Sequence, residues 1–414
     1  MNSQVKEIKV SLDFGAGMEA VGRLAISNQT IYFEYELSFL GKGVEISPFH
    51  LPLKKGVIEL PSRPFEGLAG VFNDSLPDGW GRLLFDRMVR SQGFIPREFT
   101  PLDRLAHVGL QGMGALVYEP SYEQDKNDQR IDLDLLFDQT KQVLNGSSED
   151  VFNELFALNG SSAGARPKAL IGVDSNFKII TYGTDLFKEG FEPWIVKFPN
   201  QQDGIDAGAI EFVYAKMAAL AGVDIPDVHL FSSSKGPGYF AVKRFDRKNG
   251  QRLHMHTVSG LLHSDFRVPA LDYEDLLNLT VRLTKDIREV EKIYRLAVFN
   301  VLSHNRDDHS KNFSFLMKYN GDWRFAPAYD LTFSSGPGGE QSTMVMGEGR
   351  NPGINQLRKL GLEAKLSKEK IDNIIEQTVD AVNNWEHLAK NYGVSQSNIG
   401  YIGKAINNII MNGK

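Results

Sequence analysis

Ten consecutive residues, Ser303 to Asn312, read SHNRDDHSKN and are hemmed in on both sides by apolar sequence. Before them, Ile287, Val290, Ile293, Tyr294, Ala297, Val298, Val301 and Leu302 keep the i, i+3, i+4 spacing of one buried helix face, with Thr284 as the expected N-cap. After them comes Phe313-Ser314-Phe315-Leu316-Met317. A fold for this chain must bury both flanks and hold a short charged loop between them. A solvated turn is the ordinary outcome for a segment rich in Asp, Asn and His. A loop clamped between buried elements is also where a rigid scaffold places catalytic groups.

The spacing inside the loop favours chemistry. Asp307 to Asn312 is D-x-x-x-x-N with Arg306 ahead of it, the catalytic-loop pattern of protein kinases without its leading His, and Asp330 follows eighteen positions after Asn312. Phosphoryl transfer uses one carboxylate to accept the hydroxyl proton, an amide oxygen to hold Mg²⁺, and a second carboxylate to bridge that metal to the nucleotide phosphates. Asp307, Asn312 and Asp330 fit those roles in that order. His304, Asp307, Asp308 and His309 also allow a divalent site of a metal hydrolase, since carboxylate and imidazole are both good ligands.

Composition narrows the remaining classes. At 414 residues the chain suits two or three packed subdomains. Lys and Arg number 46 against 52 Asp and Glu, a net charge of −6, so no overall basic field draws it to nucleic acid or anionic lipid. The absence of cysteine removes disulfides, thiolate nucleophiles and Cys-ligated zinc. With no apolar targeting region at its start and no long apolar run, it is expected to be a cytoplasmic soluble protein.

Taken in order, the chain opens with alternation: Ile8, Val10, Leu12 and Phe14, then Ile31, Phe33, Tyr35 and Leu37 after the Ser27-Asn28-Gln29 turn. The stretch Phe72-Asn73-Asp74-Ser75-Leu76-Pro77-Asp78-Gly79-Trp80-Gly81-Arg82 punctuates a turn before a helix toward Met88, and reads as a packed turn with Trp80 in the core. Glu119 to Arg130 is a linker candidate; Leu133 to Leu144 is helical, and Ser147-Ser148-Glu149-Asp150 resembles a further cap. Gly160-Ser161-Ser162-Ala163-Gly164-Ala165-Arg166-Pro167-Lys168 either brings backbone N–H groups to phosphates, with Lys168 adding charge, or is a surface turn; it matches neither the Walker nor the kinase glycine motif.

Trp194-Ile195-Val196-Lys197-Phe198-Pro199 is a strand whose Lys197 is placed to neutralise phosphates, although such a Lys is often a solvated edge residue. Ile210, Val213, Tyr214, Met217, Leu220 and Ala221 mark a helix stopped by Gly222 and Pro226, with Glu211 either orienting Lys197 or exposed in the first turn. The strand Tyr239 to Arg247 ends in charges; in a two-lobed kinase, backbone groups from Lys243 to Phe245 would meet adenine and Asp246 the ribose. Phe333 to Gly353 is glycine-rich and expected to be mobile. Ser367 caps a last amphipathic stretch through Ile371, Ile374, Ile375, Thr378, Val379, Val382 and Trp385.

In this order the pieces resemble the HipA family, serine/threonine kinase toxins of bacterial type II toxin–antitoxin modules. The likeness runs over nearly the whole chain: FNDSLPDGWGR, the S-x-x-G-A-x-x-K segment SSAGARPK, WIVKFP, VKRFDR, RDDHSKNFS and PAYDL. The resemblance implies Asp307 as the catalytic Asp, Asn312 and Asp330 as Mg²⁺ ligands, His309 and Lys311 as phosphate or transition-state contacts, and Lys197 and Lys168 on ATP. It also implies autophosphorylation at Ser161, or at its neighbour Ser162, which silences the kinase. Departures are Arg166-Pro167 in place of Gln-Glu, Lys243 in place of a hinge acid, and the extra carboxylate of Asp308.

The expected architecture is α/β (α+β): a two-lobed, protein-kinase-like fold with a β-rich subdomain at 1–120, an N-lobe at 131–247, and an all-helical C-lobe at 248–414. The resemblance further implies an aminoacyl-tRNA synthetase as protein substrate and a HipB-like helix-turn-helix antitoxin as the partner that contacts DNA. The rivals are a small-molecule kinase of the same fold and a pseudokinase that serves as an antitoxin-binding co-repressor.

Overall fold

The structure, a computed structural model, describes residues 4–122, 129–146, 155, 164–182, 190–200 and 202–412. It divides into two compact units, one of Met1–Gln202, Ala241–His263 and Leu316–Asp322, the other of Asp203–Phe240, Ser264–Phe315 and Trp323–Lys414. Part of the linker candidate, the Ser147 to Asp150 cap, and Ser161 and Ser162 lie outside the described residues. Among the described residues no helix is long and apolar enough to cross a membrane.

The first unit opens with a five-stranded antiparallel sheet in the order Ile58–Glu59, Thr30–Tyr35, Met18–Ser27, Glu7–Asp13, Leu116–Glu119. Alternation sets its inner face: Ile8, Val10, Leu12, Ile31, Phe33 and Tyr35 are buried. Asn28 and Gln29 take left-handed conformations and join Ser27 to Thr30 directly, the two-residue turn that matches strand twist. Leu37 breaks the predicted face, because the chain enters the short helix Leu37–Leu40 and leaves it exposed. Trp80 is buried at the start of the helix Gly79–Ser91, as expected.

A second sheet of this unit runs Gln129–Arg130, Ile180–Tyr182, Lys168–Asp174, Phe191–Lys197. The last pairs with Ala241, Val242 and Lys243. Ala169, Ile171 and Val173 are fully buried on Lys168–Asp174, and so are Trp194 and Val196 on Phe191–Lys197. The charged end of the next stretch folds into a small hairpin, Arg247–Lys248 against Gln251–Arg252.

The second unit is built on the helices Ala207–Leu220, Tyr273–Thr284, Ile287–Leu302, Ile354–Glu363, Lys368–Val382, Trp385–Asn391 and Gln396–Asn412. Ser367 caps Lys368–Val382, with its side chain accepting from the Lys370 N–H. Two details differ from expectation. Thr284 ends the preceding helix, and the cap of Ile287–Leu302 is Asp286, which accepts from the Arg288 N–H and leaves Ile287 exposed. Ala207–Leu220 is buried on most of its circumference rather than along one stripe, while Leu220 at its end is exposed. Nor is the unit all-helical: Leu271–Asp272 pairs in parallel with Thr343–Met344, which satisfies backbone groups of the segment after Asp330.

Candidate active site

The helix Ile287–Leu302 delivers the charged loop because its apolar face is fixed in the core: Val290, Ile293, Tyr294, Ala297, Val298, Val301 and Leu302 are all buried. The Tyr214 hydroxyl donates to the Ser303 carbonyl at 2.6 Å and pins the helix end. Beyond it the chain reverses, with His304 at a left-handed φ of 60°. A buried polar chain then holds the loop from beneath. Asn305 donates to the Asn300 side chain at 3.0 Å, Asn300 to the Tyr273 hydroxyl at 2.9 Å, and that hydroxyl to Asp308 Oδ2 at 2.7 Å.

Asp307 is exposed, whereas Asp308 is buried beside it. The Asn312 amide donates to the Asp307 carbonyl at 2.7 Å, so the side-chain oxygen of Asn312 is the end left to accept from or ligate an outside group. Asp330 sits at φ 58°, a left-handed conformation that costs a non-glycine residue on the order of 1 kcal/mol. Amide oxygen and carboxylate are hard donors of the kind Mg²⁺ selects. Among the described residues no group of three or more His, Asp or Glu is gathered as a metal site, so His304, Asp307, Asp308 and His309 do not form one cluster. His304 is instead bonded to the Ser334 carbonyl at 3.0 Å and stacked on Phe333.

His309 and Lys311 share a support absent from the expectations above. The Phe266 ring lies 5.1 Å from the His309 ring, and the Lys311 ammonium sits 4.7 Å above it. The Tyr329 hydroxyl donates to the Lys311 carbonyl at 2.6 Å, so the residue just before Asp330 also braces the loop. No local pattern announces Phe266, which is some forty residues upstream in sequence; only the fold brings it here.

Asp308 explains the fate of the glycine-rich segment. Its carboxylate accepts from Gln341 Nε2 at 2.9 Å and from the Thr343 N–H at 3.1 Å, besides Tyr273. Burial raises its pKa to about 7, against the opposing effect of these three donors. Gln341 also donates to the Asn305 carbonyl, Ser342 to the Arg306 carbonyl, and Arg306 to the Gly339 carbonyl. The expectation of a mobile Phe333 to Gly353 is therefore corrected: the Gln341 and Ser342 side chains and the backbone of Gly339 and Thr343 tie it to the loop.

In the first unit, Lys168 and Lys197 are direct cross-strand partners, which places two ammonium-bearing side chains on one face of the sheet. Like charges set opposite each other are destabilising by themselves and favour an anion nearby. Lys243 pairs through its ammonium with Glu192 at 2.5 Å, so its side chain is committed at the surface; Phe245 is half-buried. Asp246 is a correction. It has no solvent exposure and accepts from Arg244, from Arg247 at 2.7 Å and from the Gly114 N–H at 2.7 Å. Burial alone would raise its pKa, but the two guanidiniums hold it far below the usual carboxylate range. It is a structural knot and no ribose contact. Glu211, in the second unit, is buried rather than exposed.

Residues 160–385 match the family model described as the HipA-like C-terminal domain, and residues 12–119 that of the HipA N-terminal domain. Over 253 residues the chain is 25% identical to the candidate kinase Y4mE of Sinorhizobium fredii; the match covers 54% of this chain and 56% of that protein, little more than half its length. Among solved structures, HipA of Shewanella oneidensis MR-1, determined in complex with HipB and its operator DNA, superposes with a TM-score of 0.69 at 15% identity, covering 98% of this chain and 96% of the other. At that identity the likeness speaks for the fold.

Proposed function

The chain belongs to the HipA family, and from that premise we propose that it is an ATP- and Mg²⁺-dependent serine/threonine protein kinase, the toxin of a type II toxin–antitoxin module. The observation that carries the reading is the loop itself: an exposed Asp307 whose own carbonyl holds the Asn312 amide, with the buried Asp308 anchoring the loop from below. Exposure suits Asp307 to accept the proton of an incoming hydroxyl, and a carboxylate so placed contributes on the order of 10²–10⁴-fold.

Mg²⁺ would be held by Asn312 and Asp330 and, when bound, neutralises charge on the transferring phosphoryl group. Lys197 and Lys168, cross-strand partners in the first unit, supply positive charge for nucleotide phosphates, and in the second unit Lys311 is steadied over Phe266 to contact phosphate or the transition state. His309 shares that platform and contacts phosphate or the transition state. Backbone groups from Lys243 to Phe245 serve the adenine.

In this reading Ser161 or Ser162 is the autophosphorylated residue, since a phosphate there adds nearly two negative charges a short way ahead of Lys168 in the sequence. An aminoacyl-tRNA synthetase is the proposed protein substrate and a HipB-like helix-turn-helix protein the proposed partner. With a net charge of −6, DNA contact is assigned to that partner, and the cytoplasm is the proposed compartment.

The test is peptide and intact-mass spectrometry of the full chain incubated with Mg²⁺-ATP, beside Asp307→Asn. The expected result is a phosphate on Ser161 or Ser162 in the wild type and none in the variant. A wild type that binds ATP yet gains no mass, and transfers none to a lysate, would end the kinase reading and favour the co-repressor.

A further inference from the structure

The Asp78-Gly79-Trp80 turn has no part in the chemistry above, yet it grips the end of the small-residue segment. Gly164 donates its N–H to the Asp78 carboxylate, and its carbonyl accepts from the Trp80 N–H at 3.0 Å. Asp78 stands at the N-cap of the helix Gly79–Ser91, where a carboxylate ordinarily accepts from the first amides of its own helix. Here it makes no such bond. The side chain is diverted to Gly164 instead.

The approach leaves no room for side chains. A Cβ on Gly79 would lie 2.6 Å from the Gly164 carbonyl oxygen and 2.8 Å from the Ala165 Cα, and one on Gly164 would collide with the Lys168 ammonium. Both glycines also take positive φ, 46° and 111°. Trp80 is buried, so the gripping turn is itself anchored. Lys168 lies just past the gripped residue, buried at the start of its strand, with its ammonium brought back against Gly164.

We propose that Asp78, with the Gly79-Trp80 turn, is a positioning clamp for the phosphate-binding segment. By fixing both backbone groups of Gly164, it fixes where the Lys168 ammonium is presented to nucleotide phosphates. Asp78 touches no ligand and acts through Gly164 and Lys168. The identity of the ligand rests on the kinase reading; the clamp rests on the geometry of the first unit alone.

The experiment compares full-length wild type, Asp78→Ser and Asp78→Asn. Serine caps helices about as well as aspartate but is too short to hold Gly164, so it separates positioning from folding. Asparagine keeps an acceptor oxygen at the same reach. Two readouts are taken: hydrogen–deuterium exchange of the peptide that contains Gly164 to Lys168, and Mg²⁺-ATP affinity by calorimetry.

Loss of one hydrogen bond to a charged acceptor predicts exchange about tenfold faster and affinity about tenfold weaker in Asp78→Ser, with both largely restored in Asp78→Asn. Faster exchange with unchanged affinity would overturn the positioning role, and unchanged exchange would overturn the clamp itself. If the wild type binds no Mg²⁺-ATP, the kinase reading fails, and exchange alone still decides whether Asp78 holds Gly164.

Discussion

Asp307 and Asp308 are neighbours with the same side chain and opposite surroundings. Asp307 is exposed, while Asp308 is sealed among Tyr273, Gln341 and Thr343. With its pKa raised to about 7 in the folded protein, Asp308 binds a proton that the unfolded chain has already released above about 4. Its contribution to stability is thus fully present at acid pH and lost as pH rises through about 7. Urea unfolding between pH 4.5 and 7.5 should show this slope in the wild type and a flatter one in Asp308→Asn; equal slopes would rule out the assignment. Phe266 offers a second test at this scale. Phe266→Leu removes the ring under His309 and the Lys311 ammonium, a cation–π contact worth roughly 0.5–2 kcal/mol. Phosphoryl transfer is expected to fall about tenfold, and Phe266→Trp, which restores the ring, to recover it.

At the scale of elements, the decisive piece is the glycine-rich segment. Its composition suggests mobility, but Asp272 and the Ser303 to Asn312 loop hold it from two directions. The Asp272 carboxylate caps the helix Tyr273–Thr284 through the Glu274 N–H at 2.9 Å and also accepts from Met346 and Gly347, the latter at 2.7 Å. One carboxylate serves both a helix start and a turn. Asp272→Ala is therefore expected to cost about 2 kcal/mol, the upper end for an N-cap. It should also speed hydrogen exchange across Met344 to Gly347, whereas a cap alone would leave that segment unchanged. Local rules served well where an element satisfies itself: Ser367 caps its helix as read. They failed at Thr284, because Thr284 finishes one helix and Asp286 is left to start the next.

For the whole molecule, the largest of these shifts have opposite signs in the two units. In the first, burial lowers His254 to about 4, and burial with the neighbouring His50 and His256 does the same for His263. A folded-state pKa below the unfolded 6.5 gives stability that is complete above 6.5 and lost as pH falls toward 4. The second unit holds Asp308, whose contribution moves the other way, together with His229 and His304, which burial lowers less far. Lowering the pH from 7.5 to 5 should therefore weaken the first unit relative to the second. Exchange measured across His254 to His263 should accelerate while that across Tyr273 and Leu302 slows. Parallel changes in both would show that other groups dominate.

Much of the molecule was legible before any coordinates. Periodicity found the strand faces and the helix before the loop, and the D-x-x-x-x-N spacing with Asp330 singled out the candidate site, because those signals depend on near neighbours in sequence. What sequence could not give were the partners of buried polar groups. Asp246 reads as a strand-end acid fit for a ribose, but Arg244, Arg247 and Gly114 enclose it. Asp78 reads as part of a turn before a helix, but its carboxylate accepts from Gly164, 86 positions away. The sequence determined which residues carry charge and which faces must be buried, since hydrophobic periodicity is local. Only the tertiary structure decided which carboxylates remain exposed, because a buried charge must find its donors wherever the fold brings them.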